Sequence, residues 1–368
     1  MRATIEMRDL RDGEVVTPPV AAGVPRAARV ATIASVATEV PDGRLTTAEL
    51  AERFGVSEAW IVSRTGIRER PRAAPGDRLS DIAARVGAAA LARAGVPADR
   101  VDLVVVGTMT QDELTPNTAP LVAHAIGASR AGAFDVGAAC TGFLSALAIA
   151  TAQVESGRAE HVLVIGADLL TRITDYGDQR SAPLFADGAG AVLVSAARAC
   201  EPGVGESGAA TSGEIGPIVL GADGSQGHAI VATHTDRVLV LDGPEVFRHA
   251  VARMQQVTLE AAADAGVGLD EIDLFVYHQA NARITRALGD RLGLDPARVV
   301  DCIEMLGNSS AATLPLALGA ALSDGRLRPG AKVLLSAFGA GFTWGAGVIT
   351  WGACSAASQG GDTEVADG

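Results

Sequence analysis

The chain repeats itself at long range. The nearly uninterrupted apolar strand Asp102–Gly107 has a counterpart in Asp273–His278. The run from Phe134 to Cys140, with the helical pattern behind it, is matched by Val299 to Asn308 and a second helical pattern. His161-Val-Leu-Val-Ile-Gly is matched by Lys332-Val-Leu-Leu-Ser-Ala. The offset is about 170 residues each time, which duplicates a whole lobe and is too long for a solenoid repeat. Strands alternating with helices imply mostly parallel connections, with helices on both faces of each sheet. Strands that are apolar throughout are buried on both faces. The expected fold is therefore α/β, in two duplicated halves. Halves packed around a pseudo-twofold axis bring equivalent turns together. The Cys140 turn and the Asn308 turn are expected to face one site.

Length agrees: 368 residues are long for one core and suit two lobes. The halves are read as residues 29–200 and 215–352, with a Gly-, Ala- and Ser-rich linker around residues 197–215. Residues 1–28 are polar and aperiodic, an extension expected to be flexible, and the small, acidic tail 353–368 is expected to be disordered. The net charge is −13 and no basic stripe occurs, which argues against nucleic acid as a partner. An acidic carrier would have to dock on a local basic patch. Cys140, Cys200, Cys302 and Cys354 form no C-x-x-C pair, so neither a metal site nor a dithiol motif is signalled. Reduced thiols and a cytoplasmic location are expected. The charged N-terminus is not expected to be a signal peptide, and no apolar run has the length of a membrane span.

Helices are read at 46–54, 57–64, 80–94, 118–126, 244–265, 280–292 and 309–322. Asp187-Gly-Ala-Gly190 is read as a glycine turn feeding a strand, and 222–236 as a loop between two strands.

Three places carry chemistry. In Phe134-Asp-Val-Gly-Ala-Ala-Cys140-Thr-Gly-Phe143 an apolar run ends in small residues and a helix follows. Cys140 at a helix start is favoured as thiolate by the free N–H groups there. The plain alternative is a small buried core residue. His278, in Tyr277-His278-Gln279-Ala280-Asn281, ends a buried strand, where ligands collect in α/β folds. The alternative is a core histidine bonded to backbone. Asn308, in Gly307-Asn308-Ser-Ser-Ala-Ala, is by default an N-cap. A cap leaves unexplained the small residues behind it, which would let the helix approach something closely.

Six ordered motifs together resemble the thiolase superfamily, and most closely 3-oxoacyl-acyl carrier protein synthase III (ketoacyl synthase III). They are Trp60-Ile-Val-Ser-Arg64-Thr-Gly-Ile-Arg-Glu-Arg70, the Cys140 stretch, Phe185-Ala-Asp187-Gly-Ala-Gly190, His278-Gln-Ala-Asn281, the Asn308 stretch, and Phe338-Gly339-Ala-Gly341-Phe342-Thr-Trp-Gly345. The resemblance spans residues 29–352. It implies a five-layered αβαβα sandwich, active as a homodimer, with Cys140 as acylated nucleophile and His278 and Asn308 completing a triad. It implies an acyl-CoA primer and malonyl-acyl carrier protein as partners, with coenzyme A thioester as substrate and no metal or other cofactor. Gly339 and Gly341 would belong to the loop whose N–H groups hold an oxyanion. Trp60 and Arg64 match positions that hold the adenine, and Arg180, Phe247, Ala280 and Asn281 fall in the same substrate site. Arg283 matches a position that meets carrier acids. Thr115 would close the primer pocket across the dimer, with Phe342 on its wall. Two positions depart from the family pattern: Gln179 stands for an arginine and Pro244 for an asparagine.

Three rivals stand against condensation. An acyltransferase forming an ester or amide without decarboxylation tends to alter the triad, which is intact here. Head-to-head joining of two acyl chains wants an acid near Thr115, where Glu113 is the closest. A non-catalytic partner subunit should lack Cys140.

Overall fold

The computed structural model describes residues 29–198 and 213–352. The N-terminal extension, most of the linker, the C-terminal tail, Cys200 and Cys354 lie outside the described residues. The first half comprises β1 (Arg29–Glu39), β2 (Gly43–Thr46), α1 (Thr47–Phe54), α2 (Glu58–Thr65), β3 (Glu69–Arg72), α3 (Leu79–Ala94), β4 (Leu103–Gly107), α4 (Thr118–Ile126), β5 (Gly132–Val136), α5 (Gly142–Glu155), β6 (His161–Leu169) and β7 (Asp187–Arg198). The second comprises β8 (Ile215–Ala222), β9 (Ile230–Ala232), β10 (Leu239–Leu241), α6 (Gly243–Asp264), β11 (Leu274–Tyr277), α7 (Ala282–Leu292), α8 (Ile303–Leu306), α9 (Thr313–Ser323), β12 (Lys332–Gly339) and β13 (Thr343–Thr350).

The two main sheets are copies. The first runs β1-β7-β6-β4-β5, with β6, β4 and β5 parallel and β7 antiparallel to both neighbours. The second runs β8-β13-β12-β11 with the same strand directions. Where β5 stands in the first sheet, the second has a single parallel bridge from Val299 to Phe275. The copies agree in detail. Asp102 Oδ2 accepts from the His161 N–H at 3.1 Å, and Asp273 Oδ2 from the Lys332 N–H at 2.8 Å.

Helices α5 and α9 lie between the sheets. Both are apolar on nearly all sides, the pattern of a helix without a solvent face. Phe143, Leu144 and Leu147 of α5 and Leu314, Ala317 and Leu318 of α9 join Val164, Val192, Val276 and Leu335 from both sheets in one core. The outer face of the first sheet packs on α3 and α4, that of the second on α6 and α7. This is the five-layered αβαβα sandwich, and its central layer starts at the two turns expected to meet.

Local signals explain the short helices near the site. Thr46 and Glu49 form a reciprocal capping box on α1, and Ser57 caps α2 through the Trp60 N–H. Two expectations are corrected. Asp187 to Gly190 lies inside β7 and forms no turn. A Cβ on Gly190 would come 2.6 Å from the Pro315 Cβ, so the glycine admits α9 against the strand. The segment read as a loop at 222–236 contains β9, which pairs antiparallel with β10 as a hairpin beside the site.

Candidate active site

Cys140 sits between β5 and α5 in a tight turn, Ala139–Thr141, with Ala139 at φ 46°. The equivalent turn of the second half is Ser310–Ala312, with Ser310 at φ 51° before α9. Non-glycine residues hold such angles where the surroundings dictate them, often at functional sites. Ala311 is the counterpart of Cys140, and its N–H donates to Asp168 Oδ2 at 3.2 Å. Asp168 lies near the end of β6, and its counterpart near the end of β12 is Gly339. A Cβ on Gly339 would lie 2.9 Å from the Cys140 nitrogen and 3.1 Å from its Cβ. The turn of the second half thus faces a carboxylate from the first, whereas the Cys140 turn is met by a glycine, whose lack of a side chain lets the two backbones approach closely. A side chain in place of Gly339 would crowd the Cys140 N–H, the kind of donor that an oxyanion there would need.

The thiol departs from expectation. A helix start favours thiolate, but burial pushes the Cys140 thiol up to about 12, with Asp168 raising it further and the Ser310 hydroxyl opposing. The residue keeps some surface in the cavity, yet around the sulfur desolvation is the larger effect. Burial thus favours the thiol over the thiolate at Cys140.

His278 follows β11 and is 2% exposed. Its Nδ1 lies 2.5 Å from Thr313 Oγ1, which lies 2.7 Å from the Ser310 carbonyl. The single hydroxyl hydrogen can serve one of these. Directed at Nδ1, it leaves the ring hydrogen on Nε2, and His278 donates. Directed at the carbonyl, it leaves Nε2 as an acceptor. Nε2 is buried with no protein partner among the described residues. Burial lowers the imidazole to about 3, so it stays neutral far below the ordinary value. Acylation of Cys140 is therefore expected to show no acid inflection near the ordinary histidine pKa of about 6.5. Rates measured by intact mass from pH 5 to pH 8 check this, and a limb centred at that value would mean His278 is readily protonated.

Asn308 is 5% exposed and held at its backbone. Its N–H donates to the Leu184 carbonyl and its own carbonyl accepts from the Ala186 N–H, both at 2.9 Å. Its Oδ1 accepts from the Ser310 N–H at 2.9 Å. With the oxygen used, the amide NH2 is the free end. The N-cap reading is half right: Oδ1 does bond backbone, while α9 starts only at Thr313.

One cavity of about 1060 Å³ is lined by Cys140, His278, Asn308, Ser310 and Gly339 and by Trp60, Arg64, Arg180, Phe247, Ala280, Asn281 and Arg283. Residues 134–213 match the family described as 3-oxoacyl-[acyl-carrier-protein (ACP)] synthase III, and residues 262–351 its C-terminal part. A beta-ketoacyl-[acyl-carrier-protein] synthase III of Rhodospirillum rubrum is 44% identical over 326 residues, covering 86% of this chain and 98% of the relative. The chain belongs to the ketoacyl synthase III family. Among solved structures, the synthase III of Thermus thermophilus matches with a TM-score of 0.81 at 40% identity, covering 88% of this chain and all (100%) of the other. The priming beta-ketosynthase of the R1128 polyketide pathway matches with a TM-score of 0.82 at 34% identity, covering 89% and 98%.

Within this synthase the expected substrate residues divide. Arg64 stacks on Trp60, its guanidinium 4.0 Å from the ring centroid, so an adenine would have to displace it. Gln179, Arg180 and Pro244 all face the cavity. Asn281 spends its side chain on structure: Oδ1 accepts from the Arg283 N–H and Nδ2 donates to the Arg64 carbonyl. Arg283 lies 5.8 Å over the Phe247 ring. Two loop residues are corrected. Gly339 and Ala340 face the cavity and Gly341 does not. Phe338 forms the wall, and Phe342 packs behind it in the core, 4.7 Å between ring centroids. Thr115 is exposed and lies outside this cavity, and Glu113 is ion-paired with Arg78. Asp168, Thr313, Met109 and the β9–β10 hairpin were not singled out from sequence. The repeat held a signal for Asp168, because aligning the halves sets it opposite Gly339.

Proposed function

We propose that this enzyme condenses an acyl-CoA primer with malonyl-acyl carrier protein, with loss of carbon dioxide, to begin fatty-acid or polyketide chains. The observation that carries the reading is one cavity holding an enclosed thiol, an unpartnered imidazole nitrogen and an amide whose oxygen is already engaged. Cys140 sulfur attacks the thioester carbonyl, the C–S bond to coenzyme A breaks, and the thiol proton leaves with the coenzyme A sulfur. The backbone N–H at Cys140, against which Gly339 sets no side chain, holds the tetrahedral oxygen. In the second stage the malonyl carboxylate leaves as carbon dioxide, and its electron pair forms an enolate. His278 Nε2–H and the Asn308 amide donate to the enolate oxygen. The enolate carbon attacks the acyl carbonyl and Cys140 is released, taking up a proton. Each step uses side chains and substrate groups, with no metal or redox cofactor. An ester- or amide-forming acyltransferase has less use for two donors aimed at one thioester oxygen.

The functional unit is read as a homodimer. Among the described residues β5 is an edge strand with a free hydrogen-bonding side, and Phe134 on it is 41% exposed. Leu114, beside Thr115, is 65% exposed. No described helix is long and apolar enough to cross a membrane. A reduced Cys140 suits a cytoplasmic setting.

Intact mass after incubation with acetyl-, butyryl-, isobutyryl- and hexanoyl-CoA tests primer choice. Threonine at 115 is far smaller than an aromatic, and each extra buried methylene gains about 0.8 kcal/mol. Primers longer than acetyl are expected to acylate faster, and Thr115→Phe is expected to shift preference toward acetyl. A strong acetyl preference in the parent, or no shift in Thr115→Phe, would remove Thr115 from the pocket.

A further inference from the structure

Arg70 is the largest side chain that the fold buries completely among the described residues. No carboxylate among them lies within ion-pair distance of it. Nε and Nη2 both donate to the Pro183 carbonyl, at 2.9 and 2.7 Å, and Nη1 donates to Thr47 Oγ1 at 2.9 Å. The Ile67 and Arg68 carbonyls lie 3.5 Å away. Burial pulls the guanidinium down to about 10. A buried charge without a counter-ion is costly, and an apolar side chain would fill the space at less cost. The twin bonds to one carbonyl give the charge a use. Pro183 opens the short segment whose Leu184 carbonyl and Ala186 N–H grip the backbone of Asn308. Arg70 also lies close to the Asn308 loop on the side of this segment, since a Cβ on Gly307 would lie 3.3 Å from both the Arg70 Cγ and the Leu184 carbonyl oxygen.

The geometry points to Arg70 as a positioning residue for Asn308: by fixing the Pro183 carbonyl it locks the strap that aims the Asn308 amide at the substrate oxygen. The inference rests on the reading of Asn308 as a donor in decarboxylation. Displacements of about 1 Å in such groups cost on the order of a hundredfold in rate.

The test uses the full chain with Arg70→Lys, Thr47→Val, Asn308→Ala and the double variant Arg70→Lys/Asn308→Ala. Lysine keeps the charge but loses the forked grip. Thr47→Val removes the Nη1 acceptor and the hydroxyl's own bond to the Ile67 carbonyl, and leaves the Pro183 bonds. Acylation of Cys140 with butyryl-CoA counts the folded, competent sites by mass. Decarboxylation of a malonyl thioester is then read per competent site. Arg70→Lys is expected to keep acylation and lose decarboxylation on the order of thirtyfold or more. Thr47→Val is expected to keep both, at a lower melting temperature. The double variant is expected to decarboxylate no more slowly than Asn308→Ala. Normal decarboxylation per site in Arg70→Lys, additive loss in the double variant, or an Arg70→Lys preparation with no competent sites each overturns the inference. Normal decarboxylation in Asn308→Ala would instead overturn the reading beneath it.

Discussion

Cys140→Ala is expected to end acyl transfer to the protein. The parent chain, mixed with an acyl-CoA, gains the mass of one acyl group, and the variant gains none. Condensation falls on the order of 10⁴-fold or more, as when a covalent nucleophile is removed outright. The competing thiols set the terms of this test. Cys302 is the other cysteine among the described residues. Its thiol is pushed up to about 12 by burial, and it lies outside the cavity that holds the triad. Cys140 has a thiol raised by the same cause but shares its cavity with His278, Asn308 and Gly339. Position selects between them, since ease of ionisation does not. Peptide mapping after digestion decides the matter, and acyl mass on Cys200, Cys302 or Cys354 would end the assignment of the nucleophile.

That Cys140, His278 and Asn308 line one cavity was legible because each follows a strand or its repeat, and because the repeat predicts that the two turns meet. The strength of the Cys140 environment was not legible. A helix start is a local signal, whereas the desolvation that outweighs it comes from burial in the assembled fold, and Asp168, which raises the thiol further, lies on a different strand. Arg70 was visible only as part of a motif. That it is buried follows from contacts with Thr47 and Pro183, which no local pattern announces. Phe342 was misplaced by the same limit. Phe338 and Phe342 flank one glycine loop, and only the path of that loop decides which ring faces the cavity. The glycines after Asp187 read as a turn because turns are their commonest use. Here Gly190 serves contact with Pro315, a partner in the other half of the repeat.

His278→Ala and Asn308→Ala are expected to separate the two stages. Decarboxylative condensation should fall on the order of a hundredfold or more in each, the loss expected when a donor to a developing oxyanion is removed. Acylation of Cys140 should survive better, because the oxyanion of that stage forms at the cysteine turn, away from both side chains. The two losses should not be additive, since both donors serve one oxygen and share a support. Ser310 supplies that support: its N–H holds Asn308 Oδ1, and its carbonyl competes with His278 Nδ1 for the Thr313 hydroxyl. His278 loses a further function if Nε2 also receives the Cys140 proton, so some slowing of acylation is expected in His278→Ala and none in Asn308→Ala. Acyl mass against time gives the first stage, and carbon dioxide release from malonyl thioester gives the second. Equal loss of both stages in both variants would show that the residues hold the site together and do not divide its work.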